Sequence, residues 1–205
     1  MHADAGLQGM TEDRKTLRHD IRARRRAMPA SERIAAAEHL ADHLLALPCM
    51  PAHGHVAGYW AVDGEIGLHA WQLRLPDTFV YCLPVLHDGN QLRFAPWRPG
   101  DPLVANRYGI PEPEIDATKM LAPEDMALVV LPLVAFDAQC RRLGMGAGWY
   151  DRSFAFRRER AAPPWLVGAA FARQQVDALV SEAWDVTLDV VCTEHDSFTA
   201  SFGPA

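Results

Sequence analysis

One segment of the chain carries most of the side chains that could do chemistry. It covers residues 131–152, and its centre is the run Gly144, Met145, Gly146, Ala147, Gly148. Glycine at alternate positions lets a backbone adopt positive φ and direct its N–H groups toward an anion. Arg142 precedes this run, and Tyr150 and Asp151 follow it. Together they offer a fork-shaped phosphate donor, an aromatic wall and an acidic metal ligand.

The glycine pattern alone has an ordinary structural interpretation. Between a strand and a helix such a run is more often a tight turn than a ligand cradle, by about two to one. It is not a P-loop, because no Gly-Lys-Ser/Thr follows, and Trp149 replaces the third glycine of a dinucleotide fingerprint. The neighbouring Arg142, Tyr150 and Asp151 shift the balance toward a binding site.

The elements around this loop follow from the apolar pattern. The apolar run 127–133 predicts a buried strand, and residues 150–160, without Gly or Pro, predict a helix. The loop would then lie at the positive end of a helix dipole, which favours an anion.

A second group of cations lies near the N-terminus. Thr11 and the acidic residues after it predict a helix start. Along this helix one face carries arginines at spacings of three and four: Arg14, Arg18, Arg22 and Arg25 or Arg26. A solvated surface helix, a phosphate-binding face and a nucleic-acid arm are the three interpretations. The net charge of −6 disfavours the last.

The rest of the chain alternates between strands and helices. Helices are predicted over residues 31–47, before 75 and over 172–181, and strands over 55–60, 79–85, 92–97, 165–171 and up to 194. Residues 106–113, with two prolines, predict an extended loop rather than a strand. This alternation predicts an α/β fold, a single-domain layered sheet with helices on both faces. We expect one domain over residues 11–196, a disordered segment 1–10 and a loose tail 197–205.

Composition limits the classes of protein. Hydrophobic content of 49% and charged content of 22% are typical of a globular domain. No run of about 18 apolar residues and no signal-peptide core occurs. The four cysteines are widely spaced, which predicts buried free thiols in a reducing compartment. We therefore expect a cytoplasmic protein, monomeric, that binds neither membrane nor nucleic acid.

The central segment resembles a known family signature. Phe136-Asp137, followed by Arg142-Leu143-Gly144-x-Gly146-x-Gly148-x-Tyr150-Asp151-Arg152, is similar to that of the 5-formyltetrahydrofolate cyclo-ligases, also called 5,10-methenyltetrahydrofolate synthetases. Arg14-x-x-Leu17-Arg18 resembles the Lys-x-x-Leu-Arg of their first helix, although Arg14 replaces the lysine and Lys15 is adjacent. Gly109-Ile110-Pro111-Glu112-Pro113 and the aspartates of residues 185–194 also match.

The resemblance implies a reaction and a set of site residues. The reaction is ATP- and Mg²⁺-dependent cyclisation of 5-formyltetrahydrofolate to 5,10-methenyltetrahydrofolate, through a phosphorylated, imidate-like formyl group. The implied ATP-binding residues are Arg14, Lys15, Arg18, Arg142, Gly144, Met145, Gly146, Ala147, Gly148, Trp149 and Tyr150. The implied folate-binding residues are Trp60, Glu65, Tyr108, Trp149 and Tyr150. Arg142 and Tyr150 would act in catalysis, and Asp151 and Asp189 would hold Mg²⁺.

Three residues depart from the family pattern, and two other functions compete. Met145, Ala147 and Trp149 differ from common family residues, and Ala147 would be strained by about 1 kcal/mol or more if it needed positive φ. The alternatives are a non-catalytic folate- or nucleotide-binding relative and an RNA-associated module of the same fold. Arg142, Asp151 and Asp189 together favour the enzyme, because a binding module needs no metal site.

Overall fold

The computed structural model describes residues 3–200, and it describes side chains from Asp13 onward. The helices are α1 (Ala3–Arg26), α2 (Ala30–Leu45), α3 (His69–Arg74) and α4 (Trp149–Ser153). The strands are β1 (Gly54–Ala57), β2 (Phe79–His87), β3 (Gln91–Pro96), β4 (Leu103–Ala105), β5 (Pro111–Pro113), β6 (Leu128–Pro132), β7 (Ala135–Phe136), β8 (Arg142–Leu143), β9 (Trp165–Ala169), β10 (Val190–Cys192) and β11 (Ser197–Thr199).

Seven of these strands form the central sheet, in the order β11-β10-β9-β6-β1-β2-β3. The five central strands are parallel, and β3 and β11 pair antiparallel at the two edges. Two small antiparallel pairs, β4 with β5 and β7 with β8, lie outside this sheet. The predicted α/β class is thereby confirmed.

Both faces of the sheet are buried, which explains why its strands read as apolar runs. In β6, Leu128 and Val130 belong to one core cluster, whereas Val129 and Leu131 belong to another on the opposite face. The first cluster includes the apolar stripe of α2 and Trp71 of α3. The second includes Phe154, directly after α4. None of the helices in the described part of the chain is long and apolar enough to cross a membrane.

The direction of the connections changes between β1 and β6. From β1 the chain leads to β2 on one side, whereas from β6 it leads to β9 on the other. In open parallel sheets, ligands bind beyond the carboxyl ends of the strands at such a switch point. Here the two loops that meet at that point are residues 58–68, after β1, and residues 133–148, after β6.

Tertiary contacts shorten two predicted helices. The helix expected over residues 150–160 is only α4 followed by a 3₁₀ turn, Ala155–Arg158. Ser153 Oγ accepts the Leu92 amide at 2.7 Å, which fastens α4 to β3 at its end. The helix expected over 172–181 is a single 3₁₀ turn, Ala172–Gln174. Gln174 is buried, and its amide group donates to the carbonyls of Leu133 and Val134 at 2.9 and 2.8 Å.

Other boundaries also differ from the sequence prediction. The segment expected to be an extended loop contains β5, because prolines are tolerated in a short edge pair such as β4–β5. Helix α1 begins at Ala3 instead of Thr11, since propagating a helix costs less than starting one. The tail expected to be loose from Ser197 first forms β11, which pairs with β10. Residues 1–2 and 201–205 lie outside the described residues.

Candidate functional site

The glycine loop lies at the switch point and is held by two arginines. Arg18 of α1 donates from Nε to the Gly144 carbonyl at 2.9 Å, and Arg152 of α4 donates from Nη2 to the Ala147 carbonyl at 2.5 Å. The backbone amides of residues 145–150 donate to no acceptor within the described chain. The loop carbonyls are thus fastened while its N–H groups remain available to an anion.

The loop conformation explains two of its glycines. Gly146 and Gly148 have φ of 99° and 66°, where a side chain is strained. A Cβ at Gly148 would also lie 2.8 Å from Nη1 of Arg152. Ala147 is not among the residues with positive φ, so this departure from the family pattern introduces no backbone strain. The helix after the loop, α4, has five residues, so the predicted helix-dipole contribution is small.

Arg142 and Asp151 form a partly buried pair beside the loop. Arg142 Nη2 donates to Asp151 Oδ1 at 2.5 Å, and Nη1 donates to the Val186 carbonyl at 2.9 Å. The same Asp151 oxygen accepts the Val186 amide at 3.2 Å. The Arg142 side chain is 6% exposed. The loop is therefore joined here to residues 185–186, which come from a distant part of the chain.

This junction places Asp185 at the site, a residue that sequence reasoning missed. Asp185 Oδ2 accepts the Glu182 amide at 2.9 Å and pairs with Arg14 at 3.5 Å. Its neighbour Val186 bonds to Asp151 directly. The signal in the sequence is the Asp-x-x-x-Asp pattern at positions 185 and 189, of which the family resemblance favours the second aspartate as a metal ligand.

Asp189 does not join Asp151, which corrects the predicted metal pair. Both Asp189 carboxylate oxygens accept from Arg157, at 2.7 and 2.9 Å, and Oδ2 also accepts the Leu166 amide at 2.7 Å. The pair is nearly buried, with Asp189 and Arg157 exposed by 5% and 7%. Asp189 thus fastens the amino end of β9, opposite the ligand edge of the sheet. It has no oxygen free for a cation.

Asp151 and Asp185 fit a magnesium ion better. Among the described residues, Oδ2 of Asp151 and Oδ1 of Asp185 accept no hydrogen bond. In that part of the chain no group of three or more His, Cys, Asp or Glu side chains forms a metal cluster. Mg²⁺ commonly uses one or two carboxylates together with waters and substrate phosphates, so a two-carboxylate seat suits it.

An aromatic and cationic wall flanks the loop. Trp149 packs edge-on against Tyr108, with ring centroids 6.4 Å apart. The Arg107 guanidinium lies 5.2 Å from the Tyr108 ring and 5.1 Å from the Trp149 ring. Arg152 approaches the Trp149 ring at 5.8 Å. Arg107 was missed because its spacing matches no motif. The structure brings Tyr108 and Trp149 together, and their role in folate binding stays a prediction.

The two remaining aromatic candidates, Tyr150 and Trp60, pack against other rings. Tyr150 stacks on Phe154 with centroids 6.4 Å apart. Burial raises the pKa of its hydroxyl well above the ordinary value, and the charge of Glu65 adds to this, so the hydroxyl remains a proton donor. Trp60 is half-exposed and packs edge-on against Trp97, with centroids 5.8 Å apart.

Glu65 is a buried carboxylate in the loop after β1, and it lines a pocket with residues of α2 and α3. Its side chain is 6% exposed, and Oε2 accepts the Val62 amide at 3.0 Å. Oε1 lies 4.0 Å from Nη2 of Arg25. Burial raises the pKa of Glu65, against the opposing effects of the Val62 hydrogen bond and the Arg25 charge. A carboxylate with one oxygen uncommitted can bind a ligand that carries hydrogen-bond donors.

The arginines of α1 bind other parts of the same chain. Arg22, Arg25 and Arg26 all pair with Asp63 in the loop after β1. Burial opposes ionisation of Asp63, but hydrogen bonds from Arg22 and Arg26 outweigh it and lower the pKa to about 2. Toward the other end of α1, Arg14 pairs with Asp185 and Arg18 bonds to the glycine loop, while Lys15 is exposed.

Asp137 holds the segment that leads into the glycine loop. It is fully buried, and its carboxylate accepts from the amides of Gln139, Arg141 and Leu179 and from the Arg141 side chain, at 3.0, 3.1, 2.8 and 2.6 Å. The Phe136-Asp137 part of the motif therefore shapes the approach to Arg142.

Fold and site together define an α/β enzyme scaffold with a glycine loop near a switch point, whose backbone amides are unbonded within the described residues. The sequence model of the 5-formyltetrahydrofolate cyclo-ligase family matches residues 10–194. The chain belongs to this family, as its motifs predicted.

Individual relatives agree with this assignment. The 5-formyltetrahydrofolate cyclo-ligase of Haemophilus influenzae is 35% identical over 182 residues, covering 87% of this chain and 96% of the relative. That of Escherichia coli K12 is 35% identical over 177 residues, covering 84% and 96%. The NMR structure of Aquifex aeolicus 5,10-methenyltetrahydrofolate synthetase superposes with a TM-score of 0.78 at 28% identity, covering 94% of this chain and 95% of the other.

Proposed function

We propose that this cyclo-ligase converts 5-formyltetrahydrofolate to 5,10-methenyltetrahydrofolate with consumption of ATP in the presence of Mg²⁺. The observation that carries the proposal is the open row of loop amides among Arg18, Arg142 and Arg152, together with Glu65 in the loop after β1. The amides suit a triphosphate, and the carboxylate suits a ring with hydrogen-bond donors.

The chemistry explains why a nucleotide is needed. The formyl group on nitrogen 5 is an amide, whose oxygen is a poor leaving group. Transfer of the ATP γ-phosphoryl group to that oxygen breaks the bond to ADP and gives an imidate-like phosphate. Nitrogen 10 then attacks the formyl carbon and loses its proton. Phosphate leaves as the bond between the formyl carbon and its oxygen breaks. The products are methenyltetrahydrofolate, ADP and phosphate.

Phosphoryl transfer depends mainly on positioning and charge neutralisation. In this proposal Arg142 and Arg18 bind the phosphates, together with the loop amides, and Arg14 and Lys15 add positive charge at the same end of α1. Tyr150 donates its hydroxyl toward the reacting formyl group. Asp151 and Asp185 would hold Mg²⁺, which neutralises phosphate charge when bound.

The folate would lie between the two loops. Glu65 accepts hydrogen bonds from the pterin ring, whose amino group is a donor. Trp60, Trp149 and Tyr108 provide aromatic faces for its rings. This arrangement places the formyl group beside Tyr150 and the nucleotide.

The test is the Mg²⁺- and ATP-dependent appearance of the methenyltetrahydrofolate chromophore from 5-formyltetrahydrofolate. Asp151→Asn and Asp185→Asn are compared with Asp189→Asn. We expect the first two to lower activity by about 100-fold or more and to raise the Mg²⁺ concentration needed, because each removes a carboxylate that would hold the phosphate-neutralising Mg²⁺. Asp189→Asn should instead lower the thermal midpoint and leave the Mg²⁺ requirement unchanged. No product from the folded, unaltered protein would refute the proposed function.

The RNA-binding alternative is disfavoured by the arginine contacts. Five of the α1 arginines are engaged with Asp63, Asp185, Glu182 and the Gly144 carbonyl, so they do not form an open basic face: Arg14, Arg18, Arg22, Arg25 and Arg26. A non-catalytic relative would not turn over in the chromophore assay. A cytoplasmic location and a monomeric state stay predictions from the sequence.

A further inference from the structure

Arg25 is the most buried cation in the described part of the molecule, and the proposed reaction assigns it no role. Its side chain is 1% exposed. Nε donates to the Asp63 carbonyl at 3.1 Å, and Nη1 to the Leu133 carbonyl at 3.4 Å. It therefore bridges the loop after β1 and the end of β6, the two sides of the switch point. A buried charge is costly unless it is balanced, so its partners need to be counted.

Asp63 does not balance Arg25 by itself. Its carboxylate accepts from Arg25 at 2.9 Å, but it also accepts from Arg22 and Arg26. Three guanidinium groups thus share one carboxylate. The next carboxylate is Glu65, whose Oε1 lies 4.0 Å from Nη2 of Arg25. With Glu65 ionised the cluster holds three positive and two negative charges, and with Glu65 protonated the imbalance increases.

The other neighbours of Glu65 do not favour its charge to the same degree. Burial raises the pKa of the Tyr59 and Tyr150 hydroxyls, which therefore stay neutral and add no positive charge, and the Asp63 charge opposes ionisation of Glu65. Arg22 also acts on it, with less effect than Arg25. The Val62 amide is the one donor among the described residues that bonds to it. Arg25 is therefore the main charge that offsets the burial of this carboxylate.

We propose that Arg25 is a positioning residue for folate binding, which keeps Glu65 ionised and therefore able to accept hydrogen bonds from the pterin. This inference rests on the proposed function. An ionised carboxylate is purely an acceptor, whereas a protonated one presents a donor to the donors of the ring. A buried mismatch of that kind costs binding energy. Arg25 thus acts on the substrate through Glu65 without touching it.

The test is the pH profile of KM for 5-formyltetrahydrofolate at saturating MgATP, from pH 5.5 to 8.5. Arg25→Gln is compared with Arg26→Gln, a matched control that binds the same Asp63 but does not approach Glu65 within 4 Å. Removing Arg25 raises the pKa of Glu65 further. In Arg25→Gln, KM should therefore rise by about tenfold per pH unit below the new pKa and recover at high pH. The unaltered protein and Arg26→Gln should show no such rise.

Two further variants separate charge from packing. Arg25→Lys keeps a positive charge without the fork, so its pH profile should follow that of the unaltered protein even if its thermal midpoint falls. The double variant Arg25→Gln with Glu65→Gln should lose the added pH dependence of Arg25→Gln, since the carboxyl group responsible for it is gone, while His69 and Glu38, which line the same pocket as Glu65, are present in every variant. A KM change in Arg25→Gln that is the same at every pH, or no larger than in Arg26→Gln, would overturn the inference.

A measurement on the unaltered protein covers the case in which Arg25→Gln does not fold. The carboxyl carbon of Glu65 is followed by NMR in glutamate-labelled protein and is assigned by its loss in Glu65→Gln. We expect it to be ionised at pH 7, and a protonated Glu65 at that pH would overturn the inference. Absence of turnover by the unaltered protein at every pH would refute the proposed function instead.

Discussion

The loop after β1 and the glycine loop differ in how their polar groups are satisfied. We call the loop after β1 closed, because its carboxylates already have partners within the chain: Asp63 is shared by three arginines of α1, and Glu65 accepts the Val62 amide. The glycine loop is open, with its carbonyls bound by Arg18 and Arg152 and its amides without acceptors in the described chain. The first is preorganised by charge pairs with α1, whereas in the proposed function the second is completed by a ligand. This difference suggests which loop orients the folate and which one binds the phosphates.

The largest expected effect comes from the open loop. Arg142→Gln removes the guanidinium beside the proposed phosphate site, and we expect activity to fall by about 1,000-fold, because an arginine on a transferring phosphoryl group contributes that much or more. Arg141→Gln is the neighbouring control, since Arg141 binds Asp137 and Gln139 instead. Initial rates of chromophore formation measure both. Equal losses in the two variants would show that Arg142 acts only through folding.

The closed loop should respond through stability. Asp63→Asn leaves three arginines without their shared anion, one of them buried, and should lower the free energy of unfolding by about 3 kcal/mol. Denaturant titration measures this loss. Asp42→Asn is the control, because Asp42 and Arg74 form an exposed pair, and it should change stability little.

The same variant makes a prediction about pH. The pKa of Asp63 is lowered from 3.8 to about 2 in the folded state, so its ionisation stabilises the fold above pH 3.8. This contribution is lost as pH falls toward 2. The stability difference between the unaltered protein and Asp63→Asn should therefore shrink over that interval. A difference that stays constant down to pH 2 would contradict the charge-pair explanation.

The smallest effect concerns the shape of the open loop. Gly148→Ala places a side chain at φ 66° and 2.8 Å from Arg152, which should cost about 1–2 kcal/mol and raise KM for ATP by about tenfold. Gly89→Ala carries comparable strain, with φ 69° and ψ 16° against φ 66° and ψ 19° at Gly148, and no atom lies within 4 Å of the added Cβ. It should lower stability without changing KM for ATP. If both variants change KM equally, the loop has no special geometric requirement.

Local patterns in the sequence were sufficient for the fold class and for most of the strands. Apolar runs such as residues 127–133 identify buried parallel strands, because both faces of this sheet are covered. The motif around Arg142 and Asp151 identified the family, since its residues are close together in the chain. The ends of the helices were less predictable. The predicted helix 150–160 ends early because Ser153 and Phe154 make contacts with distant strands.

What the sequence by itself determined is the family, the α/β class and the residues of the glycine loop. The family pattern pointed to Asp189 as the partner of Asp151, and only the tertiary structure shows that Val186, next to Asp185, is the residue that bonds to Asp151. Asp185 lies beside the loop, whereas Asp189 is held by Arg157 at the opposite end of the sheet. Likewise, only the folded chain shows that Arg22, Arg25 and Arg26 pair with Asp63, whereas Arg18 bonds to the glycine loop. The physical reason is that pairing of charges depends on which strand ends meet, and spacing along the chain does not contain that information.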